Sequence, residues 1–66
     1  MKRISINNGN SFVTVAEALK KFDLETIANY MDDEARETAN SNVAPCDDET
    51  FLTEYLKIAN EDLIIG

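Results

Sequence analysis

Thirteen carboxylates, one thiol and no histidine are the side chains open to chemistry in this 66-residue chain. Without histidine the commonest general base is gone, and with it the triads built on imidazole and most zinc sites. Cys46 would need a cationic neighbour to act as a thiolate nucleophile. Its neighbours are Pro45, Asp47 and Asp48, a setting that disfavours reactivity. It reads instead as a small, half-buried residue at a helix start. Two acidic clusters remain: Asp32, Asp33, Glu34 and Glu37, then Asp47, Asp48 and Glu49. Neither has the alternating acids and central glycine of a calcium loop. Consecutive aspartates on a helix point in different directions, so both clusters read as helix caps and solvated charge. No metal, no cofactor and no enzymatic activity are expected. Asn8-Gly9-Asn10 is too short to cradle a phosphate and reads as a turn.

One pattern points to binding. Glu25, Asn29, Asp33 and Glu37 recur every four residues. On a single helix, neighbours at that spacing lie about 6 Å apart, close to the spacing of phosphates along one nucleic-acid strand. Glu25, Asp33 and Glu37 are therefore the candidate acidic interaction surface. The alternative is an ordinary exposed helix face. Tyr30 and Tyr55 flank the apolar stripes and read as edge-of-core residues, although tyrosine is common at binding hot spots.

Charge is divided unevenly. Residues 1–22 carry Lys2, Arg3, Lys20 and Lys21 against Glu17 alone, about +3. The rest carries twelve acids against Arg36 and Lys57, giving −10 within a net charge of −7. Such a body cannot bind a nucleic-acid backbone broadly, because that affinity comes from cations displacing counterions. It favours a protein partner with a basic surface. Direct nucleic-acid binding and membrane binding are not expected.

The elements that would position these groups follow from periodicity. Residues 1–66 make one small acidic domain, burying about 60% of its unfolded surface with a few kcal/mol of stability. A lone cysteine fits a reducing, cytoplasmic setting. The basic Lys2-Arg3 pair is followed by no long apolar run, which argues against a signal peptide or membrane span. Ile4 and Ile6 share one face of a first strand. Asn8-Gly9 favours a turn with positive φ, and Ser11-Phe12-Val13 can return as a second strand. A two-residue loop sets Phe12 opposite Ser5 and Ser11 opposite Ile6, so the apolar faces match poorly. Thr14 to Glu17 has capping-box spacing, followed by a stripe of Val15, Ala18, Leu19 and Phe22. Asp23 caps a second helix through Leu24, Ile27, Ala28, Met31 and Ala35, with the Asp32-Asp33-Glu34 triplet able to kink or restart it. Asp47 or Cys46 opens a third, striped by Phe51, Leu52, Tyr55, Leu56 and Ala59. Asp62 to Gly66 reads as a strand pairing with residues 2–6, covering an open edge.

The expected fold is α+β: three short helices packed on a small two- or three-stranded sheet formed by the N- and C-terminal segments. Its core is Ile4, Ile6, Phe12, Val15, Leu19, Phe22, Leu24, Ile27, Met31, Phe51, Leu52, Tyr55, Leu56, Leu63 and Ile65.

Four segments carry a resemblance: Ile6-Asn7-Asn8-Gly9-Asn10-Ser11-Phe12, Tyr30-Met31-Asp32-Asp33-Glu34-Ala35-Arg36, Ala44-Pro45-Cys46-Asp47-Asp48-Glu49-Thr50-Phe51-Leu52 and Asp62-Leu63-Ile64-Ile65-Gly66. In order and spacing the chain resembles small acidic uncharacterised proteins encoded on conjugative transposons of clostridia and related gut bacteria. The resemblance implies a cytoplasmic, mobile-element context and brings no catalytic residue. The expected function is a non-enzymatic, protein-binding accessory protein of a mobile genetic element. The alternative is an acidic DNA-mimic inhibitor of a host defence or DNA-binding protein. Continuous acid on an exposed surface would favour mimicry; an exposed apolar or tyrosine patch would favour plain protein binding. A metal-dependent or cysteine enzyme is the third reading, to be revived only by a pocket with converging carboxylates.

Overall fold

In the computed structural model, which describes residues 1–66, strands from the two ends of the chain lie side by side and share one hydrophobic core with four helices. The elements are β1 (Ile4–Ile6), β2 (Ser11–Val13), α1 (Val15–Lys21), α2 (Leu24–Ala28), α3 (Asp33–Val43), α4 (Asp48–Ile58) and β3 (Leu63–Ile65). The α+β architecture is the one expected. β1 is central in the order β2-β1-β3, antiparallel to β2 and parallel to β3. Ile4 stands opposite Leu63 and Val13, and Ile6 opposite Ile65 and Ser11. The tail thus pairs with the first strand. The Leu63 N–H donates to the Arg3 carbonyl at 2.9 Å, and the Arg3 N–H donates to Asp62 Oδ1 at 3.0 Å.

The turn between β1 and β2 uses left-handed backbone at Asn7 (φ 54°), Asn8 (φ 57°) and Gly9 (φ 90°). Asparagine and glycine tolerate that region better than other residues. The Gly9 N–H donates to the Ile6 carbonyl and the Asn10 N–H to that of Asn7, each at 3.2 Å.

Period two decides the faces of the sheet. Ile4, Leu63 and Ile65 point to the core and are buried. Ser5, Phe12 and Ile64 form the opposite row. The expectation that Phe12 joins the core is therefore corrected: it is 56% exposed. With Ser5 facing outward, its partner in register must face outward too. The Arg3 guanidinium lies over the Phe12 ring, 4.0 Å from its centroid. Ser5, flanked in register by Phe12 and Ile64, is itself buried.

Four helices stand where three were expected, because the second one divides. α2 ends at Ala28, and the N–H groups of Tyr30 and Met31 donate to the carbonyls of Ile27 and Ala28 at 3.0 and 3.1 Å. Asp32 then takes extended backbone and its carboxylate accepts from the Ala35 N–H, starting α3. The Asp32 N–H, which a continuous helix would use internally, donates to Tyr55 Oη at 2.9 Å. A side chain that can cap its own downstream turn competes with helix continuation, and here it prevails.

α4 is the central helix. Leu52, Tyr55 and Leu56, spaced at i, i+3 and i+4, are all buried. Met31 and Ile27 join them, and Ala18, Ala39 and Ala59 fill positions where larger side chains would hold helices apart. Leu19, Phe22, Leu24 and Phe51 pack at the core edge, half-buried. α3 contributes only Ala39 to the fully buried set, so most of its surface is polar and free. No helix is long and apolar enough to cross a membrane.

Candidate functional site

The acids divide by what they hold. Thr14 and Glu17 form the reciprocal capping box at α1, with Thr14 N–H to Glu17 Oε1 at 3.0 Å and Glu17 N–H to Thr14 Oγ1 at 3.1 Å. Asp23 and Asp47 accept from the Thr26 and Thr50 N–H groups, each at 2.8 Å. These bonds favour the charged carboxylates. The Thr14 backbone bond, then the Thr14 side chain, lowers the pKa of Glu17. The Thr26 side chain, then its N–H, does so for Asp23, and Thr50 acts likewise on Asp47. Asp32 caps α3, Asp62 accepts from Arg3, and Glu54 accepts from Asn42 Nδ2 at 3.1 Å. Asp33 meets Arg36 at 3.8 Å. The carboxylates of six acids make no hydrogen bond or ion pair: Glu25, Glu34, Glu37, Asp48, Glu49 and Glu61. All six are exposed, and they constitute the charge left unpaired within the chain.

The four-residue ladder is interrupted. Glu25 lies on α2, Asn29 is the α2 C-cap, and Asp33 and Glu37 lie on α3. The break after Ala28 removes the regular helical spacing. It also brings Glu25 and Glu37 to the lining of one open groove of about 660 Å³, with Leu24, Ala28, Arg36, Asn40, Ser41 and Phe51. Asp33 lies outside that lining, beside Arg36. No sequence signal marked this groove, because it depends on the reversal between α2 and α3.

Cys46 is free and exposed. This corrects the half-buried expectation: α4 starts with the Asp47 cap, leaving Cys46 one residue outside the helix. No three Asp, Glu or Cys side chains are gathered as a metal site.

The outer sheet face is a second exposed feature. Phe12 and Ile64 are 56% and 51% exposed on either side of Ser5. Arg3 adds a cation to this face, so the apolar patch coincides with the basic end of the chain.

Sequence comparison adds what geometry cannot. A family model described as "Anti-CRISPR protein AcrIC5" matches residues 19–59, well over half of the chain. The chain belongs to this anti-CRISPR family. The matched span opens in α1 and runs to the end of α4, so the family likeness covers the acidic helices and leaves the sheet outside. The mobile-element setting expected from the sequence holds at this level: AcrIC5-type proteins are small proteins of phages and mobile elements. No curated protein and no solved structure matches the chain.

Proposed function

We propose that this chain inhibits CRISPR defence as a stoichiometric, non-enzymatic binding protein. It presents the free acids of its helical body to a basic surface of a Cas protein or complex, a surface that otherwise holds nucleic acid. Membership of an anti-CRISPR family carries the reading. The −10 charge on residues 23–66 supports the partner's chemistry, since opposite potentials steer and orient association. Glu25 and Glu37, both free, belong to that contact surface, together with Asp33 beside Arg36. Carriage on a conjugative transposon, as in the proteins it resembles, is part of the proposal, as is action in the cytoplasm, where the nucleoprotein target lies.

The test titrates the purified chain into a reconstituted Cas interference complex and follows target-duplex binding. Target binding should be lost near one equivalent and recover as salt rises. The chain alone should leave duplex DNA unshifted at about 150 mM salt, where the Debye length is roughly 8 Å. Inactivation at far below one equivalent would indicate catalysis and overturn the mechanism. Direct duplex binding by the chain would remove mimicry.

One observation favours protein binding without mimicry: the exposed Phe12–Ile64 face. If double substitution of Phe12 and Ile64 by threonine abolishes inhibition while neutralising the free acids does not, the apolar face is the contact.

A further inference from the structure

Resting on the proposed function, and going further into the same surface, we propose that the groove between α2, α3 and α4 receives one arginine side chain from a basic loop of the protein partner. Leu24, Ala28 and Phe51 supply an apolar floor, and Glu25 and Glu37 stand on separate helices in the same lining. Neither glutamate has a partner within the chain. Arg36, the one cation in the lining, has Asp33 beside it at 3.8 Å. The lining therefore sets two carboxylates, neither hydrogen-bonded nor ion-paired within the chain, against one guanidinium and an apolar surface. An arginine satisfies both requirements. Its methylene stem covers apolar surface while its head stays polar, and the planar guanidinium can stack on an aromatic ring and donate to two carboxylates at once. A lysine ammonium is a compact, strongly hydrated point charge and uses only part of this surface. The duplication of carboxylates is a product of the helix break: on a continuous helix Glu25 and Glu37 would lie three turns apart.

The probe is a blocked tripeptide with arginine between glycines, alongside its lysine and uncharged citrulline counterparts, titrated into the isotope-labelled chain and followed by NMR. The arginine peptide should move the amide signals of Leu24 to Ala28, Arg36 to Ser41 and Phe51 in a saturable way. Lysine should bind more weakly and citrulline not at all. Combined Glu25→Gln and Glu37→Gln should weaken arginine binding about fivefold, the range of two partly exposed ion pairs. Glu34→Gln with Glu61→Gln, the same change of charge outside the groove, should leave it intact. Shifts spread evenly over all acids, equal binding of citrulline, or equal loss with the control pair would overturn the proposal. So would groove signals that move on dilution of the chain alone, which would make a second copy the occupant. The inhibition assay separates the two levels. If E25Q/E37Q inhibits as well as the parent, the groove fails while the inhibitor stands; if the parent itself does not inhibit, the functional reading fails.

Discussion

The sheet and the helical body are built in opposite ways. The sheet joins three three-residue strands drawn from both ends of the chain. Its contacts span the whole sequence, and its inner face is aliphatic. The helices from Asp23 to Ile58 form largely from local signals, each opened by an aspartate that accepts from the N–H three residues on. They carry nearly all the free acid. One region closes the fold; the other displays charge. The difference teaches that a highly charged small protein can keep its displayed charge out of its stability problem, provided that the long-range closure happens elsewhere.

The strongest way to break this division is to remove the closure. Deleting residues 62–66 takes away Leu63 and Ile65, both about 2% exposed. Each buried side chain of this kind stabilises by about 1.5–3 kcal/mol, a large share of what so small a domain possesses. The truncated chain should show no cooperative thermal transition by circular dichroism. A melt near the parent midpoint would show that the helices stand alone.

A smaller effect is expected where the helices meet. Tyr55→Phe removes the oxygen that accepts the Asp32 N–H. The cost should be about 1–3 kcal/mol, the penalty of leaving a part-buried donor unmatched, read from urea unfolding. Loss of protection at Met31 to Ala35 in hydrogen exchange would locate it at the start of α3.

The caps sharpen the comparison further. Combined Asp23→Ala and Asp47→Ala should lower the melting midpoint by about 8–16 °C while leaving the sheet intact. Their pH dependence has a definite sign. The pKa values of Glu17, Asp23 and Asp47 are lowered in the folded chain. Their contribution is therefore fully present above the ordinary carboxylate range and is lost as pH falls through the folded values. The parent midpoint should hold from pH 7 to about 5 and drop below about pH 4, and the drop should be shallower in the double variant. The smallest effect is at Cys46. Cys46→Ser should change neither midpoint nor inhibition, since the thiol is exposed and outside the helix it precedes.

Much of this structure could be read from the chain. Thr14 and Glu17, Asp23 and Asp47 announced their helices because capping is a local contest between one side chain and the next turn. Leu63 and Ile65 announced a strand because an apolar run of that length must find a partner. Phe12 was misplaced because its size outweighed its register, although the register itself set it opposite Ser5. The division at Asn29 to Asp32 was legible only as an option: its outcome depends on Tyr55, more than twenty residues away, offering an oxygen to the Asp32 N–H. The groove followed from that division and was hidden with it. Ser5 is polar and lies on the face away from the core, and its burial comes from neighbours on two other strands.

The parallel pairing of β1 with β3 has a consequence for the order of events during synthesis. Arg3 and Asp62 are 59 residues apart, so the central strand of the sheet waits, with one side unpaired, until residues 63–65 have been made. Closing so large a loop is slow relative to helix formation. The growing polypeptide therefore passes through a stage in which its helices can form but its aliphatic strands are still open to other chains, the stage at which aggregation competes with folding. The exposed acids are already present then, and their mutual repulsion keeps nascent copies apart. The same charge thus acts as a solubilising shield before the last strand arrives and, in the function proposed above, as the contact surface after it has docked.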